Sequence, residues 1–99
     1  MSLKKEAVRG FVVKSVPGKM LRDYAGMNYY SAKVMGFTPL PKRNEILVDK
    51  KYKGAKKTRV IKHEMEEAHL MSRGYPYFVA HKIALHYESK KFPKWGRVK

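Results

Sequence analysis

The feature that most constrains this chain is a pair of helical segments punctuated by "RGYP", Arg73 to Pro76. From Lys57 to Arg73 apolar residues recur every three or four positions, and the run stops at Gly74. Pro76 suits the first turn of a second helix, which extends to about Ser89. Only Gly74 and Tyr75 separate the two, so they must fold back as an antiparallel hairpin. Such a hairpin has an apolar stripe to bury, and the residues before it must supply the other half of the core.

Those residues read as strands and one short helix. Glu6 to Val16 is rich in β-branched residues, and Phe11, Val12 and Val13 are apolar in succession. That predicts a strand buried on both faces or paired with a second subunit. Pro17-Gly18 is a turn, after which "KMLRDY" is expected to return as a short strand. Asn28 is placed to cap a helix over "YYSAKVM", with Gly36 just past its end and Pro39 beyond. "EILVD", Glu45 to Asp49, is a compact apolar strand expected at the centre of the sheet. The predicted fold class is α+β: a small antiparallel sheet packed by a C-terminal antiparallel helical hairpin. It forms one domain over residues 1–99, with sheet and short helix in 6–49, hairpin in 57–89 and an extended basic tail in 90–99.

The hairpin carries an anomaly. At about 100° per residue, Val60, Ile61, Met65, Ala68 and Met71 share one arc, with Lys62, Glu66, His69 and Arg73 opposite. Glu64 falls inside the apolar arc, with Glu67 and His63 on its border. On the second helix Tyr77, Phe78, Ala80, Ile83, Ala84, Leu85 and Tyr87 mark a broad apolar arc, and His81 lies within it. Counted outward from the turn, His81 comes level with Glu67 or Ala68, and Glu88 follows on the same face. Buried carboxylates cost several kcal/mol unless paired, so something must compensate Glu64 and Glu67.

Three readings compete. In the first, His81 bonds Glu67 or Glu64 and the network is a structural clamp. In the second, "HEMEE" supplies two metal ligands one helical turn apart, His63 and Glu67, with His81 as third ligand, Glu88 as a possible further one and Glu64 as the base that polarises water. Zinc is the expected ion, and because the chain has no cysteine, only His, Glu or Asp can hold it. In the third, Glu64 and His81 do metal-free acid-base chemistry, without an accompanying nucleophile.

The net charge of +15 attracts polyanions, nucleic acid first. Lys50, Lys51, Lys53, Lys56, Lys57 and Arg59 form a basic strand-to-helix loop able to contact phosphates, though such loops are often simply solvated. Tyr24, Tyr29, Tyr30, Tyr52 and Trp95 are interleaved with these charges, as base-stacking platforms or as core and dimer anchors. Met20, Met27, Met35, Met65 and Met71 are expected to fill the core. No apolar run is long enough for a membrane span, and the N-terminus lacks a signal-peptide core. The expected location is therefore intracellular, without signal-peptide secretion, and the expected state a homodimer joined through the N-terminal strand.

The stretch "HEMEEAHLMSRGYPYFVAHKIALHYE", His63 to Glu88, resembles a pattern of small mobile-element and phage proteins: an "HExxE" helix, a Gly-containing turn, "Y..AH..A" and a trailing Glu. A zincin-like site is what that resemblance implies, on His63, Glu67, His81 and Glu88, with Glu64 as base. In length, Lys and Tyr richness and absence of cysteine the whole chain resembles small orphan proteins of the lipothrixviruses, filamentous viruses of hyperthermophilic archaea. That likeness implies a heat-stable viral protein, located in the host cytoplasm or the virion. Two functions follow: a basic homodimeric binding module whose His/Glu cluster is structural, taken first, and a minimal zinc-dependent hydrolase.

Overall fold

The computed structural model describes residues 5–8, 10–22 and 24–91. In chain order they form β1 (Lys5–Val8), β2 (Phe11–Val16), a 3-10 turn (Gly18–Leu21), β3 (Gly26–Asn28), α1 (Tyr29–Met35), β4 (Glu45–Asp49), α2 (Gly54–Ser72) and α3 (Tyr77–Lys91). The class is α+β, and α2 and α3 pack together as the expected hairpin. The sheet order is β1-β2-β4-β3.

The sheet is mixed, which corrects the expectation of an antiparallel one. β1 with β2 and β3 with β4 run antiparallel, but β2 and β4 pair in parallel, Val13 opposite Ile46. Parallel neighbours need a long crossover, and here it holds the 3-10 turn, β3 and α1. The expected single strand over Glu6–Val16 breaks at Gly10, whose φ of 87° is accessible without a Cβ penalty. The chain reverses there and β1 pairs back along β2. The expected return strand in "KMLRDY" is instead the 3-10 turn, which buries Leu21, and the returning strand is Gly26–Asn28.

The apolar runs in β2 and β4 are explained by burial on both sides. Neighbouring residues point to opposite faces. Val13, Ile46 and Val48 pack with Val60, Ile61 and Met65 of α2, together with Ala25. On the other face Val16, Met27 and Leu47 pack with Leu21, Ala32 and Phe37. β4 is buried at all five positions, as its central place requires.

α1 follows its sequence signals. Asn28 Oδ1 accepts from Ser31 N at 3.0 Å, and Gly36 ends the helix in the left-handed region at φ 67°. α2 begins at Gly54, three residues before the expected start, so Lys56 joins Lys57 and Arg59 on the helix while Lys50, Lys51 and Lys53 precede it. α3 is held thinly: among its described side chains the buried ones are Ala80 and Ala84, whereas Phe78 and Tyr87, expected in the core, are 61% and 50% exposed. Apolar residues all round this helix gave the periodicity no direction. Lys90 and Lys91 belong to α3; Trp95 and the rest of the expected tail lie outside the described residues, as does the side chain of Glu88.

Candidate metal centre in the helical hairpin

Glu67 is the centre of the seam between α2 and α3, and it is 2% exposed. A lone carboxylate there would cost several kcal/mol; four donors offset that. His63, one helical turn before it on α2, places Nε2 2.8 Å from Glu67 Oε2. His81 of α3 brings Nδ1 to the same oxygen. Because an ionised carboxylate only accepts, both ring nitrogens carry the proton toward it. The other oxygen, Oε1, accepts from Ser31 Oγ at 3.0 Å and lies 3.2 Å from Asn28 Nδ2.

Burial pushes the Glu67 carboxyl up, but the bonds and charges of His63 and His81 outweigh it and hold the group below the ordinary carboxylate range. Tyr77 stacks on His81, ring centroids 5.4 Å apart and planes 23° from parallel. Burial and then the negative charges of Glu67 and Glu64 push its phenol up to about 12. The His63 ring meets His81 edge to face at 5.1 Å. His81 thus sits between two rings, fixed in the orientation that aims Nδ1 at Glu67.

One ligand atom from each of His63, Glu67 and His81 lies within 4.8 Å of the others. Two ligands on a tetrahedral zinc at about 2.1 Å sit roughly 3.4 Å apart, so a zinc-class ion fits this group with small shifts. Three protein ligands leave one position open, and the open side is that of His81, whose side chain is 24% exposed against 0% for His63.

The structure therefore brings together His63, Glu67 and His81, the three expected ligands. Glu64, the expected base, is 3% exposed and accepts from Asn28 Nδ2 at 2.9 Å. It lies beside the group and is not one of its ligands. The basic set divides: Lys50, Lys51, Lys53 and Lys56 are exposed and Lys57 is half-buried, but Arg59 is 4% exposed and is withdrawn from phosphate contact. Its burial follows from helical spacing, which sets Arg59 one turn before His63 on the same face of α2. Tyr24, Tyr29, Tyr30 and Tyr52 are half-buried.

Asn28 and Ser31 are the residues that sequence reasoning missed. Asn28 announced itself as a cap, but a capping asparagine uses only its oxygen and leaves an amide with two hydrogens to place. Gly26, two residues earlier on the same face of β3, is what lets α2 approach: a Cβ there would lie 2.7 Å from Val60 Cγ1 and 3.1 Å from Glu64 Cγ.

Compared with protein-family models, with curated proteins and with solved structures, the chain matches none of them. Among the described residues no helix is long and apolar enough to cross a membrane.

Proposed function

We propose that this protein binds one zinc-class divalent cation through His63 Nε2, Glu67 Oε2 and His81 Nδ1, and that the ion serves hydrolytic chemistry. The convergence of these three ligand atoms, from two helices, on one small volume carries the reading. The "HExxE" resemblance supports it. Two imidazoles and a carboxylate form a donor set that suits zinc over calcium or magnesium. When bound, the ion supplies Lewis acidity for activating water. The protein's own part is to bury His63 and Glu67 and to leave the His81 side chain partly exposed. Glu64, tied to the site through Asn28, is the carboxylate nearest in role to a base.

Calorimetric titration of zinc into chelator-stripped protein near pH 7.5 tests the reading. Saturable binding near one ion per chain, lost in Glu67→Ala with the fold retained, is expected; absence of heat, or equal binding by Glu67→Ala, overturns it. Proton release or tautomer change must accompany binding, since both ring nitrogens now face the carboxylate with hydrogens.

A second reading rests on a different observation. Lys50, Lys51, Lys53 and Lys56 are exposed around the start of α2, in a chain of net charge +15. A homodimeric module contacting nucleic acid through these lysines would show affinity falling steeply with salt. Lack of DNA binding at low salt sinks that reading.

A further inference from the structure

Resting on the metal reading above, we infer that Asn28 and Ser31 are positioning residues that restrict Glu67 to one-oxygen ligation through Oε2. The argument begins with the amide of Asn28. Its Oδ1 is committed to the backbone N–H of Ser31, so Nδ2 must face the opposite way. There it lies 2.9 Å from Glu64 Oε1, 3.2 Å from Glu67 Oε1 and 3.0 Å from Ser31 Oγ. The reversed amide would set Oδ1 against two carboxylates and Nδ2 against an N–H, so the orientation is fixed by the cap.

Two hydrogens serve three acceptors. One goes to Glu64; the other is shared between Ser31 Oγ and Glu67 Oε1. Ser31 has a single hydroxyl hydrogen and sends it to Glu67 Oε1 at 3.0 Å, with Met71 Sδ a weaker neighbour at 3.6 Å. The result is a relay, Asn28 to Ser31 to Glu67, ending on Oε1. Asn28 and Ser31 are 0% and 1% exposed, so water does not compete for these bonds. Oε1 is occupied and held away from the histidines, while Oε2 alone faces both ring nitrogens.

A carboxylate free to rotate takes a divalent ion with one oxygen or two. Occupying Oε1 removes the second choice and keeps coordination low, which favours zinc or cobalt over ions that prefer six or more oxygens. Partners of this kind around a ligand typically change affinity by about 10- to 100-fold when removed.

The experiment uses cobalt(II) as the probe, because its visible bands are intense at four-coordination and fade as ligands are added. Cobalt is titrated into chelator-stripped wild type, Ser31→Ala and Ser31→Thr, with circular dichroism and thermal melts confirming the fold. Expected are strong bands for wild type and Ser31→Thr, and for Ser31→Ala an affinity roughly 10-fold lower with weakened bands even at saturation. A purely structural serine would leave the saturated spectrum unchanged. Superimposable spectra and equal affinity for wild type and Ser31→Ala overturn the positioning role and leave the metal site standing. No cobalt uptake by wild type, read calorimetrically in the same titration, overturns the metal reading and this inference with it; uptake with only weak bands overturns the one-oxygen inference alone.

Discussion

The two sides of α2 are held by different physics. Toward the sheet, Val60, Ile61 and Met65 meet Val13, Ile46 and Val48 in an apolar contact that needs no particular protonation state. Toward α3, the same helix presents His63 and Glu67, each 2% exposed, to a helix whose buried residues among the described side chains are alanines, while Glu64 turns to Asn28 at the end of β3. The apolar side is non-directional and tolerant of conditions. The polar side depends on every partner being present and correctly protonated. One helix therefore carries both a condition-insensitive core and a condition-sensitive seam, and α3 is attached mainly through the second.

The sharpest way to break the contrast is His63→Leu. It leaves Glu67 buried without its α2 donor and should destabilise by roughly 3–5 kcal/mol, measured by urea unfolding at pH 7. Its pH dependence carries the sign. In the wild type Glu67 titrates below its unfolded value, so its contribution is present above the ordinary carboxylate range and is lost as pH falls through the folded value. With His63 gone, one of the two histidines that lower the group is removed and its folded value rises, so the gap between wild type and variant should narrow as pH falls toward 4. Ile46→Ala is the counterpart on the apolar side, expected at about 2–5 kcal/mol. Its cost should be flat between pH 4 and 8 and leave zinc affinity unchanged; a strong pH dependence would dissolve the distinction between the sides.

Gly26→Ala sits where the two regions meet, since its Cβ would press on Val60 and Glu64 together. Overpacking there should cost about 1–3 kcal/mol and, unlike Ile46→Ala, weaken metal binding as well. At the small end, Phe78→Ala should change stability by no more than about 0.5 kcal/mol, because the ring is already 61% exposed. A larger loss by thermal melt would show that α3 is held by more than the seam.

What was legible in the sequence was what local chemistry determines. The Gly74–Pro76 punctuation, the Asn28 cap, the Gly36 stop and the apolar "EILVD" run each act within a few residues, and each places its element correctly. Helical spacing alone aligned His63 with Glu67, and counting from the tight turn brought His81 level with them. The parallel pairing of β2 with β4 was not legible, because an apolar run buried on both faces is compatible with either direction. The donors from Asn28 and Ser31 were also invisible. They reach Glu64 and Glu67 across more than thirty residues of chain, and nothing in their local pattern points there. Arg59 failed as a surface cation for a simpler reason: it was grouped with its charged neighbours in sequence, although helical spacing puts it one turn before His63 on the buried face.

The crossover between β2 and β4 bears on how the site comes into being. Asn28 and Ser31 lie inside it, so they reach Glu67 only once β3 has joined β4 and the intervening loop has closed, an entropic cost met before any of these bonds form. His81, in contrast, arrives through a two-residue turn. In a refolding chain the hairpin half of the site should assemble early and the strand half late. Tight ion capture would then mark the last stage of folding, and an ion offered to the nascent chain would meet a looser, two-helix version of the site first.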